Sequence, residues 1–75
     1  MTATASLQSA VRCFESDRES AAISLLRSTL GEMDPDGTSF SEPVTAVRAA
    51  IKGFERGDDR SALAWTRTAL QRLAA

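Results

Sequence analysis

Apolar residues in the second half of the chain recur at helical spacing. Val44, Val47, Ile51 and Phe54 fall three and four residues apart, which puts them on one face of a helix. Leu63, Thr66, Leu70 and Leu73 repeat that spacing, with Ala62 and Ala69 beside them. Between the two stripes, Gly57 suits the left-handed conformation that closes a helix, and Asp58 or Asp59 suits the cap of the next one. Residues 43–73 therefore predict two antiparallel helices about a tight Gly57-Asp58 turn. The first half carries Leu7, Ala10, Val11 and Phe14, then Ala22, Ile23, Leu26, Leu30 and Met33. The expected fold is all-α, with four helices as two similar antiparallel helical hairpins in a compact bundle. One helical domain is expected over residues 1–75, with hairpin one at about 6–33, a linker at 34–42 and hairpin two at about 43–74.

Sliding the chain against itself by 40 residues aligns the halves. Phe14-Glu15 falls on Phe54-Glu55, Ala10 on Ala50, Ala22 on Ala62, Arg27 on Arg67 and Leu30 on Leu70. Leu7 meets Val47, Val11 meets Ile51, Arg12 meets Lys52, Ile23 meets Leu63 and Met33 meets Leu73. Apolar positions stay apolar, so the same faces should be buried in both halves, with a pseudo-twofold relation between the hairpins.

The segment Gly57-Asp58-Asp59-Arg60-Ser61-Ala62-Leu63, followed by Ala69-Leu70, resembles the turn and second helix of a tetratricopeptide repeat. The likeness covers about one helix and a turn. The first copy has Ser16-Asp17 where the glycine belongs, and a 40-residue spacing exceeds the tandem period of that family. What the resemblance implies is a helical hairpin that binds protein or peptide.

Punctuation along the chain predicts the helix ends. Residues 1–5 read as frayed, with Ser6 as the cap of the first helix. Ser16-Asp17-Arg18-Glu19 has capping-box spacing, so the second helix should start there, and Gly31 should begin its unwinding. Asp34-Pro35-Asp36-Gly37 reads as a turn, with Phe40 expected to tuck back onto the bundle. Ser41 or Ser39 is the expected cap of the third helix, with Pro43 in its first turn, where a missing N–H costs little.

Composition narrows the chemistry. The 75 residues contain no His, which removes histidine bases, histidine metal ligands and Ser-His triads together. The lone Cys13 lies on a face of small residues and reads as packing, so no enzyme activity, cofactor or metal is expected. A single cysteine fits a reducing compartment, and no stretch reads as an export signal or membrane span, so the expected location is cytoplasmic. Glu32, Asp34, Asp36 and Gly37 resemble the opening of a calcium-binding EF-hand loop. That pattern then fails at Ser39, where an apolar residue belongs, and at Glu42, one position before the closing acid. Ser39-Phe40 before a helix resembles the phosphopantetheine site of carrier proteins, without that family's residues around the serine.

Charge is uneven. Residues 1–43 hold three arginines against seven acids, a net −4, while residues 44–75 hold six cations against three acids, a net +3. Arg48, Lys52 and Arg56 share one helical face and give the alternative reading of a DNA-associated regulator, although a net charge of −1 argues against nucleic acid. Leu25 and Trp65, equivalent in the repeat, widen the apolar faces of the second and fourth helices. Burying each would contribute about 1.5–3 kcal/mol before association costs. The expectation is therefore a non-catalytic interaction module with a protein partner or itself as partner, as a homodimer. The acidic half of one copy would then face the basic half of the other, and Leu25, Trp65, Arg48, Lys52 and Arg56 would carry the contact.

Overall fold

A computed structural model describes residues 2–74. They form α1 (Ala3–Glu15), α2 (Glu19–Met33), α3 (Glu42–Glu55) and α4 (Asp59–Ala74), with no strand among the described residues. The all-α expectation holds. Within the hairpins α1 packs on α2 and α3 on α4; between them α1 packs on α4 and α2 on α3. The helices thus close a ring in which α1 and α3, and likewise α2 and α4, lie across the diagonals. A shift of 40 residues carries α1 onto α3 and α2 onto α4, and so turns the α1–α4 contact into the α3–α2 contact. This is the contact pattern a pseudo-twofold axis along the bundle requires.

The two hairpin turns match bond for bond. In the first, Arg18 N–H donates to Cys13 O at 2.7 Å, Asp17 N–H to Phe14 O at 3.3 Å and Ser16 N–H to Arg12 O at 3.0 Å. In the second, Asp58 donates to Gly53 at 2.9 Å, Gly57 to Phe54 at 2.9 Å and Arg56 to Lys52 at 3.1 Å. Both are Schellman closures, which need a left-handed residue one position past the helix. Gly57 supplies it with φ +79°, and Asp17 takes the same conformation at φ +60°. This overturns the capping box expected at Ser16–Glu19. Ser16 is taken into the Schellman turn as the C-cap of α1, and the residue that precedes α2 is Arg18, whose guanidinium has no acceptor to offer the helix N–H groups. In the second copy Asp58 does cap, its Oδ1 accepting from Ser61 N–H at 3.0 Å.

Other ends differ from expectation as well. Helix α1 starts at Ala3, not Ser6, because Thr2 Oγ1 accepts from Ala5 N–H at 3.1 Å; Ser6 is buried inside the helix. Of the residues expected to fray, Met1 lies outside those described. Helix α2 runs through Gly31 to Met33. Ser41 precedes α3 as expected, yet its side chain makes no capping bond. Phe40 does not tuck back; it is 89% exposed.

The core follows the repeat. Leu7 and Val47, Ala10 and Ala50, and Ala22 and Ala62 are all fully buried equivalents. Alanine at these sites lets helix backbones approach, and one approach is closer still. A Cβ on Gly53 would stand 3.2 Å from the Ala62 backbone nitrogen, whereas the equivalent position in the first hairpin holds Cys13. The halves are also unequal in bulk. Leu26 and Thr29 are buried where the second copy buries Thr66 and Ala69, so the first hairpin fills more of the shared core. Thr66 Oγ1 donates to Ala62 O at 2.8 Å and Thr29 Oγ1 to Leu25 O at 2.7 Å, so neither buried hydroxyl lacks a partner.

Candidate interaction surface

Two of the five residues expected to make contacts are apolar, and the bundle separates them. Leu25 on α2 is half-buried and packs against the core cluster. Trp65, its equivalent on α4, is 39% exposed. Since α2 and α4 lie across a diagonal, Leu25 and Trp65 stand on opposite sides of the bundle and share no patch. They are not a core pair either, since Trp65 projects outward from a helix whose buried residues are Ala62, Thr66 and Ala69. The exposed surface of large apolar side chains among the described residues therefore comes down to Trp65 and Phe40.

The three cations of α3 also have different fates. Arg48 is drawn into the linker, its Nη1 donating to Ser39 O at 2.7 Å and its Nη2 to Asp34 Oδ2. The Asp34 side chain is only 4% exposed, and its other oxygen accepts from Thr38 N–H at 3.0 Å and Ser39 N–H at 2.9 Å. One carboxylate thus organises the linker and ties it to α3. Sequence reasoning took Asp34 as a turn residue or calcium ligand and missed this role. The available signal was an acid 14 positions before an arginine on the facing helix. With both oxygens partnered inside the chain, Asp34 is engaged away from the EF-hand arrangement, and Pro43 stands in α3 at the position of the closing acid. Ser39 is half-buried, its Oγ 3.3 Å from both the N–H and the Oγ of Ser41. Lys52 and Arg56 are exposed, Arg56 at the C-cap of α3, where a cation suits the helix dipole.

The charge asymmetry of the sequence is largely settled within the chain. Arg27 pairs with Glu55 at 3.8 Å, Arg67 with Glu15 at 2.8 Å, Arg72 with Glu42 at 2.9 Å and Arg48 with Asp34. Each of these pairs joins a residue from 1–43 to one from 44–75. Arg12 and Arg18 against Asp17, Glu19, Glu32 and Asp36 leave the first part at −2. Lys52, Arg56 and Arg60 against Asp58 and Asp59 leave the second at +1. The Arg27–Glu55 and Arg67–Glu15 pairs are images of one another under the 40-residue shift, α2 to α3 in one case and α4 to α1 in the other.

Among the described residues, no three of Cys, Asp and Glu gather as metal ligands would, and no helix is long and apolar enough to cross a membrane. Comparison of the chain with family models, curated proteins and solved structures found no match in any of the three.

Proposed function

We propose that this chain is a non-catalytic helical interaction module that associates with a second copy of itself or with another protein through the Trp65 face of α4. The observation that carries the reading is the contrast at one repeat position: Leu25 packs on the core while Trp65 stands 39% exposed. A tryptophan with one side dry and one side wet is the type of residue that anchors interfaces. Absent histidine and a lone cysteine support a role without catalysis, and the same cysteine usage supports a cytoplasmic setting. The likeness of residues 57–70 to a tetratricopeptide hairpin points to peptide or protein partners as well.

The reading rests on Trp65 and not on charge, because the pairs that would order an antiparallel dimer are already formed within one chain. Exposed Lys52 and Arg56 support the alternative of a DNA-associated regulator, although Arg48 is engaged by the linker. Sedimentation of the wild type and of Trp65→Glu tests the main reading. A concentration-dependent dimer that the substitution converts to a folded monomer is expected. A wild type that stays monomeric at high micromolar concentration removes self-association, and submicromolar duplex binding that weakens steeply with salt favours the alternative.

A further inference from the structure

The seam between the hairpins is built from the same parts twice. The α1–α4 and α2–α3 contacts are images under the 40-residue shift, as are the Arg27–Glu55 and Arg67–Glu15 pairs that cross them. We infer that this seam is also a docking surface for a second copy of the chain: hairpin one of one copy closes on hairpin two of another, giving a hairpin-exchanged dimer. The surface is distinct from the Trp65 face, so the two readings stand or fall separately.

The physical argument is one of equal contacts and different entropy. The core cluster draws on both hairpins, Leu7, Ala10 and Leu26 from one and Ala46, Val47 and Ala50 from the other, and it is rebuilt the same way whether hairpin two comes from its own chain or another. What favours closure within one chain is the effective concentration set by the residues between Met33 and Glu42, on the order of millimolar for a short linker. The linker also carries a clasp, since Asp34 holds Thr38 and Ser39, and Arg48 holds Ser39 and Asp34. Exchange therefore requires that the clasp be released, and it belongs to refolding or to a chain whose linker cannot fold back.

Two single-cysteine chains test this, both carrying Cys13→Ser, one with Glu15→Cys and one with Arg67→Cys. They are mixed, unfolded, refolded together at about 1 mM, the order of the linker's effective concentration, and treated with a short bismaleimide. Exchange joins the two different chains through positions 15 and 67, in preference to links between identical chains, and the linked fraction falls about three- to fourfold on tenfold dilution before refolding. A dimer through Trp65 would double the mass without that preference. A second variant, lacking residues 34–41 and carrying Pro43→Ala, joins α2 to α3 in one continuous helix and prevents closure within the chain. It is expected to be a helical dimer at low micromolar concentration, with the same 15-to-67 link. Links without preference between unlike chains overturn the proposal, as does a fused variant that is monomeric or no longer helical.

Discussion

Replacing Asp17-Arg18 by Gly-Asp transfers the second turn's chemistry to the first and should stabilise the bundle. Asp17 sits at φ +60°, where Gly57 sits at +79° in the other copy. The left-handed region costs an L-residue about 1–2 kcal/mol, with aspartate at the low end, and part of the relief is offset by the extra freedom glycine has when unfolded. Asp17→Gly should thus gain up to about 0.5 kcal/mol. Arg18 leaves α2 without a side-chain cap, whereas Asp58 bonds Ser61 N–H at 3.0 Å. Arg18→Asp supplies such a cap, worth about 1 kcal/mol, and replaces a cation at the positive end of a helix dipole by an anion. The pair should add about 1.5 kcal/mol, raising Tm by roughly 6–12 °C for a domain of this size. Calorimetry and urea unfolding of both singles and the double measure this directly. The reverse exchange, Gly57→Asp with Asp58→Arg, should lose a comparable amount. If the forward double leaves Tm unchanged or lower, the equivalence of the two turns is not energetic and the reasoning fails.

Asp34→Ala should cost about 2–3 kcal/mol in urea unfolding, because it strands two linker N–H groups and a half-buried guanidinium; Asp34→Asn should recover part of that, and a loss under 0.5 kcal/mol would contradict the clasp. Arg27→Ala and Arg67→Ala break exposed ion pairs, so each should cost less than about 1 kcal/mol, additively and less so at high salt. A loss of several kcal/mol from either would mean that the seam depends on charge. Gly53→Val should cost about 1–3 kcal/mol by forcing α3 away from Ala62, while Cys13→Ala stays within about 1 kcal/mol. Equal losses at the two sites would refute the closer approach in hairpin two.

Periodicity and the internal repeat made the four helices, the hairpin pairing and most of the core readable, since Leu7, Val47 and their neighbours fall on stripes that only helices align. Helix ends were less readable. Ser16-Asp17-Arg18-Glu19 satisfies a capping box by spacing, yet the backbone bonds of the Schellman turn claim the same residues, and sequence alone does not rank the two. Phe40 misled for a related reason: an apolar residue in a loop suggests burial, but the clasp fixes the adjacent Ser39 and leaves Phe40 facing out. Arg48 read as part of a basic stripe because its partner is 14 residues away, on another element. Trp65 was identified as a candidate by its repeat position, while its separation from Leu25 depends on the closing of the helical ring.

The inequality of bulk between the halves sets which halves can meet. Where hairpin one buries Leu26 and Thr29, hairpin two buries Thr66 and Ala69. Two copies of hairpin one facing each other would crowd the centre, and two copies of hairpin two would leave it hollow. Overfilling and cavities each cost on the order of 1–3 kcal/mol or more per site. Outline makes every pairing geometrically allowed, and volume then admits only the unlike one. Each half is thus matched in volume to the other, and neither is free to change its bulk unless the other compensates.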